Sequence, residues 1–182
     1  GVRNAALVGD VFTVAKLVPL LLFVAVGLFF LRPEGFVFAA RPSFSAFSVS
    51  VLLLVYAFSG FEMATIPGGE ARDPQGDMPR ALLGAIAVVA VLYLLIQVVA
   101  IGTLPGLGES ARPLADAASR FFGPVGGAII SAGAVVSILG NLNVIMLVGS
   151  RLPFAIASRG ELPRVFAATH PRFHTPYLSI LA

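Results

Sequence analysis

The sequence contains no cysteine. Structural disulfides and thiolate metal sites are therefore excluded, while the compartment stays open, because membrane helices rarely need disulfides. Charge is scarce as well. Asp, Glu, Lys and Arg make up 12% of 182 residues, against about 25% in an ordinary soluble domain, which argues against a soluble fold. There is no G-x-x-x-x-G-K-[ST] loop and no G-x-G-x-x-G after a strand, so nothing supports ATP-driven chemistry. His170 and His174 are spaced i, i+4, but Pro171 between them argues against a helix presenting both to a metal. The net charge of +3 is no sign of nucleic-acid binding and fits arginines flanking membrane spans.

What the chain has instead is apolar sequence, 58% of its residues, in recurring runs of about 20 that can each cross a bilayer as a helix. These runs fill most of the chain, so we expect an all-α integral membrane protein forming part of a single transmembrane domain, residues 1–182. Spans are expected at about 8–31, 47–67, 80–104 and 125–149, with another starting at 176. Asp77 and Pro79 read as the cap and first turn of the third span. The loop PGLGESARPLADAASRFFGP has room for a short helix lying on the protein, and the basic stretch from Ser150 to Pro176 reads as one or two interfacial helices. The fourth span is rich in Gly, Ala and Ser, which lets neighbouring helices approach closely. The chain begins without a methionine and stops inside an apolar run, PYLSILA, and we expect an excerpt of a longer protein.

If spans alternate, one side holds Arg3, Arg72, Arg80, Arg151, Arg159, Arg164 and Arg172, and the other holds Arg32, Arg41, Arg112 and Arg120. The richer side is expected to be cytoplasmic. Glu70, Arg72, Asp73 and Arg80 then read as a solvated loop on that side or a salt-bridge network within it.

One stretch does not fit a plain span. In YAFSGFEMATIPGGEARDPQGDMPRA, from Tyr56 to Ala81, a carboxylate, Glu62, lies deep in an apolar run. A charge near the bilayer centre costs about 2.5–3.5 kcal/mol on insertion scales, so it must face protein or water. Ser59-Gly60 weakens helical continuity, and Pro67 removes a further N–H. Two readings fit. In one the helix is broken and its freed carbonyls and N–H groups line a substrate cavity. In the other it is kinked but unbroken, and Glu62 bonds to a neighbouring helix.

FSGFE followed by GGEARDPQGDMPRAL resembles the sixth-span signature of amino acid permeases of the amino acid–polyamine–organocation (APC) family. The family pattern is roughly F-S-G-F-E, then G-E-x-x-x-P-x-x-x-x-P-x-A. Phe58, Ser59, Gly60, Phe61, Glu62, Gly69, Glu70, Pro74, Pro79 and Ala81 match it. SRLPFAIASRGELPRVFAATHPRFHTPY is similar to the loop after the family's eighth span, and DVFTVAKLVPLLLFVAVGL to the fifth span. The resemblance covers essentially the whole chain, as spans five to eight and the start of nine. It implies a partial LeuT-type inverted-repeat fold with a broken helix near Ser59-Gly60. It also implies secondary transport of amino acids by alternating access. Proton-coupled symport leads; an amino acid/amine exchanger and a non-transporting membrane sensor are the alternatives. The inner (plasma) membrane of a bacterium is the implied location.

The resemblance also suggests roles. Carbonyls around Phe58, Ser59 and Gly60 would face the substrate ammonium, and Tyr56 takes a position where some relatives place an aromatic gate. Phe58 and Phe61 would wall the side-chain pocket or pack against lipid. Glu62 would bond freed N–H groups or respond to protons. Lys16, the single lysine, would be a proton-coupling ammonium standing where sodium-coupled relatives hold sodium; snorkelling to the interface is the alternative. Burial disfavours a charged ammonium, so an inward-facing lysine can release and take up a proton. Asp10, six residues away, is off its face and reads as interfacial. Of Asn141 and Asn143, two residues apart, one would line the pathway and the other bond a neighbouring helix. No enzymatic activity, metal or cofactor is expected. The partners implied are an amino acid, protons and the bilayer, with the N-terminal spans of the same protein needed for a complete site.

Overall fold

The computed structural model describes residues 2–37, 41–63, 65, 73–149, 151–169 and 179. Among these residues the structure is helical, with no strand. Six α-helices follow in chain order: α1 (Val2–Gly27), α2 (Phe44–Phe58), α3 (Pro74–Thr103), α4 (Pro113–Phe122), α5 (Pro124–Gly149) and α6 (Arg151–Ser158). Four segments are long and apolar enough to cross a membrane: Leu7–Phe30, Phe44–Met63, Gln75–Thr103 and one that begins at Pro124. The expected fifth span from 176 lies outside the described residues, apart from Ser179, whose hydroxyl donates to the Phe166 carbonyl at 2.8 Å.

The chain separates into two compact units. One comprises Gly1–Pro19 and Ser131–Ala182, the other Leu20–Ile130. In the second unit the core lies where the end of α1 meets the end of α3 and α4. Phe23, Val99, Ala117 and Ala118 are fully buried there. Phe121 of α4 ties this core together, its ring centroid 5.6 Å from Phe23 and 5.7 Å from Phe30. α4 thus lies on the protein, its alanine face inward and its Arg112–Asp116 ion pair (3.5 Å) outward. That is the only ion pair among the described residues, and such exposed pairs contribute at most about 1 kcal/mol.

In the first unit α1 and α5 run antiparallel along a seam of close approach. A Cβ on Gly133 would lie 3.1 Å from Pro19 Cγ, and one on Gly140 would lie 2.8 Å from Phe12 Cβ. These glycines give the seam its closeness, as small residues do where membrane helices pack. Gly140→Val is therefore expected to push α1 away and lower the stability of the folded protein by about 1–3 kcal/mol, the usual cost of overpacking. Thermal melting of the purified protein in detergent checks this.

Helix ends differ from the expected spans by several residues, and two of these differences bear on the site. α3 begins at Pro74, not near Arg80, and its cap is Asp73, whose carboxylate accepts from the Gly76 N–H at 3.1 Å. Pro74 takes the first helical position, where a missing N–H costs nothing. Pro79 falls inside the helix and leaves the Gln75 carbonyl without its helical partner. Of the expected loop network, Asp73 serves as this cap, Arg80 makes no ion pair among the described residues, and Glu70 and Arg72 lie outside them. The second boundary, the end of α2, forms the candidate site.

Candidate functional site

α2 starts from a Ser43 cap, its hydroxyl oxygen accepting from the Ala46 N–H at 3.2 Å, and ends after 15 residues at Phe58. That length rises about 22 Å, short of the roughly 30 Å of a hydrocarbon core. The span was expected to reach Pro67, but the helix stops within it. Ser59 is extended (φ −72, ψ 159), and its N–H turns back to the Tyr56 carbonyl at 3.1 Å. The Ser59 hydroxyl donates to the same carbonyl at 2.7 Å. Gly60 follows at φ 101, in the left-handed region. A short 3-10 turn over residues 61–63 comes next, its Met63 N–H donating to the Gly60 carbonyl at 3.2 Å.

The stop divides the backbone groups by kind. No described residue donates to the carbonyls of Ala57, Phe58 or Ser59. These are helix-end acceptors of the kind every C-terminus leaves over, and here they lie inside a segment apolar enough to span a bilayer. Just beyond them, the Gly60 N–H donates to Glu62 Oε2 at 2.9 Å. Glu62 thus satisfies a donor released at the stop, and the Thr65 hydroxyl donates to the Glu62 carbonyl at 2.6 Å. Among the described residues the result is a patch of unbonded acceptors beside a carboxylate, suited to an ammonium or another multiple donor.

The side chains named from sequence are distributed unevenly around this patch. Tyr56 is 79% exposed within the chain, and Phe61 is exposed too. Phe58 is half-buried and meets Tyr93 of α3 edge-on, ring centroids 5.4 Å apart. Tyr93, the one aromatic of α3, was not singled out in the sequence, where no local pattern ties it to the stop. An edge-on pair contributes about 0.5–1.5 kcal/mol beyond burial. Tyr93→Ala is expected to lower thermal stability by at least that amount, since the ring's buried area is lost as well, and Tyr93→Phe to leave it unchanged, as melting of the two variants would show.

Lys16 belongs to the other unit. Gly9, Phe12, Lys16 and Pro19 recur at helical spacing and share one stripe of α1. Three of them mark the seam with α5: Pro19 opposite Gly133, Phe12 opposite Gly140, and Gly9 beside Asn143, whose Nδ2 is 3.9 Å from where a Gly9 Cβ would lie. The same antiparallel register sets Lys16 level with Val136 and Ser137. Lys16 is half-buried and makes no hydrogen bond or ion pair among the described residues. Pro19 also removes the N–H that would bond the Ala15 carbonyl, next to Lys16 in the chain. Asn143 faces α1, whereas Asn141 is exposed on another side of α5. Asp10 is exposed and unpaired with Lys16. His170 and His174 lie outside the described residues.

The sequence pattern of the amino acid permease family matches residues 1–182. Among curated proteins the chain is similar to the serine/threonine exchanger SteT of Bacillus subtilis (strain 168), 32% identical over 99% of this chain and 42% of the relative. It is similar to the methylthioribose transporter of the same organism, 30% identical over 97% of this chain and 39% of the relative. A third relative there is the branched-chain amino acid permease BcaP, 24% identical over 98% of this chain and 39% of its own length. The chain thus spans about two fifths of the length of these relatives.

Proposed function

The chain belongs to the amino acid permease family and is an integral, multi-pass membrane protein, and from that premise we propose that it is part of a secondary transporter that moves amino acids by alternating access. The observation that carries this is the stop in α2. Free carbonyls inside a membrane span are tolerable only where they line a cavity, and the ammonium of an amino acid is the donor that suits them. The family is consistent with a LeuT-type fold, in which such interrupted helices hold substrate near the bilayer midplane. In this reading the carbonyls at Ala57, Phe58 and Ser59 take the ammonium. Gly60 makes the turn, Glu62 holds the Gly60 N–H, and Tyr56, Phe58 and Phe61 border the substrate. α2 buries none of its residues within the chain, so its partners would be lipid and further spans of a longer protein, among them those that complete the site.

Proton-coupled symport is the finer part of the proposal. It rests on Lys16, which is half-buried and shares its stripe of α1 with Gly9, Phe12 and Pro19 along the seam with α5. Among the described residues Lys16 has no acid partner, and in this reading its ammonium carries the coupled proton. The transporter would sit in a bacterial inner membrane, with the start of α3 on the cytoplasmic side. The name of the exchanger relative favours a second reading, obligatory exchange of one amino acid for another, which needs no proton site. Uptake of labelled amino acids by the full-length protein in liposomes, with and without an inward pH gradient and with and without internal substrate, separates the two. Uptake that neither the gradient nor internal substrate stimulates would sink both.

A further inference from the structure

A cavity of about 460 Å³ opens between the loop after α1 and the C-terminal end of α3. Its walls hold two charges of opposite sign, Arg32 and Glu34, and an apolar side made by Ile101, Leu104 and Leu107. The loop is tied to the helix through backbone. The Arg32 N–H donates to the Gly102 carbonyl at 2.9 Å, and a Cβ on Gly35 would lie 3.1 Å from Gly102 Cα. The Arg32 and Glu34 side chains are exposed, and neither forms an ion pair with the other or with any described residue. The carbonyl end of α3 adds partial negative charge to the cavity. Leu104 is buried, and Ile101 and Leu107 are half-buried. The volume lies in the range of small-molecule sites, about 300–1,000 Å³. Tyr93, which marks the α2 stop, is eight residues back along α3 from Ile101, about 12 Å by helical rise. The cavity is therefore a separate place.

We propose that this cavity is an entry site for a zwitterionic amino acid on the side of the membrane opposite the start of α3. Arg32 takes the carboxylate, Glu34 with the α3 carbonyl end takes the ammonium, and Ile101, Leu104 and Leu107 receive an apolar side chain. The proposal rests on the transport reading above. A zwitterion matches both charges at once, whereas a simple anion or cation leaves one wall repelled.

The test uses the full-length protein in liposomes, first with each of the twenty standard L-amino acids to find one that the wild type takes up. With that amino acid as probe, Arg32→Gln and Glu34→Gln are each expected to raise KM about tenfold, the equivalent of about 1.4 kcal/mol, with the maximal rate unchanged. The tie to α3 is a backbone bond, so both variants keep it. The decarboxylated amine of the same probe, added as competitor, should lose potency in Glu34→Gln and keep it in Arg32→Gln. Unaltered KM in both variants overturns the site and leaves the transport reading standing. Equal loss of acid and amine in Arg32→Gln overturns the assignment of the carboxylate. A wild type that takes up none of the twenty, with or without the same amino acid preloaded inside, overturns the transport reading and this site with it.

Discussion

Replacing Lys16 by alanine is expected to abolish pH-driven accumulation of amino acid while leaving exchange across the membrane intact. A pH difference of one unit carries about 1.4 kcal/mol per proton, enough to hold about a tenfold amino acid gradient. Wild type in liposomes acid outside should approach that ratio with a one-to-one coupling, and Lys16→Ala should stay near unity. Preloaded internal substrate should still exchange in the variant, because the α2 carbonyls are untouched. Lys16→Arg sharpens the test. Arginine keeps a cation in the α1 stripe but does not release its proton. It should therefore fail in accumulation just as alanine does, although its charge is preserved. Equal accumulation by wild type and both variants would show that Lys16 has no part in coupling. Wild-type movement that ignores the gradient and requires internal substrate would favour the exchanger reading instead.

The position of Lys16 shows what the sequence could carry and what it could not. Spans were legible because apolar runs of membrane length are unambiguous in composition. The face of each span was not, because helices apolar all round carry no amphipathic stripe to read. The recurrence of Gly9, Phe12, Lys16 and Pro19 is visible in the chain. Only the partner glycines at Gly133 and Gly140 show that this stripe meets α5. The choice between snorkelling and inward placement is therefore not legible in the sequence.

Helix ends were legible where two local signals agreed and ambiguous where signals competed. At Ser59-Gly60 the side chain that turns back on the helix and the residue that accepts a positive φ are adjacent, so the position of the stop was readable. Its extent was not, since nothing in Phe61–Pro67 forbids a helix outright. Before α3, Asp73-Pro74 and Asp77–Pro79 both read as starts. The earlier pair prevails because Asp73 reaches the Gly76 N–H and Pro74 stands at the first position. The later start would forgo the helical bonds between Pro74 and Pro79 to avoid one missing N–H. The Phe58–Tyr93 contact and the Arg32–Glu34 cavity join residues far apart in the chain, and no local pattern announces either.

Gly60→Val is expected to remove transport almost completely, and the reason lies in backbone geometry. Gly60 stands at φ 101, where a residue with a Cβ is strained. The position is also open, with nothing within 4 Å of an added Cβ, so a steric clash is not the cause. The strain is about 1–3 kcal/mol, and a β-branched residue meets it at the upper end. The chain can relieve it by returning Gly60 to negative φ. That would displace the Gly60 N–H from Glu62 and re-aim the Ala57, Phe58 and Ser59 carbonyls. Gly60→Ala should lose less, in proportion to its smaller strain, and Gly60→Asn least, since asparagine tolerates left-handed backbone better than other non-glycine residues. Gly84→Ala in α3 supplies the control. It too has open space around it but no positive φ, so it should leave transport unchanged and stabilise the helix by about 0.5–1 kcal/mol. Uptake rates and melting curves for the four variants would test this order. A Gly60→Val protein that transports as well as Gly84→Ala would mean that the turn at Gly60 is incidental, and that the carbonyls it leaves free do not hold the substrate.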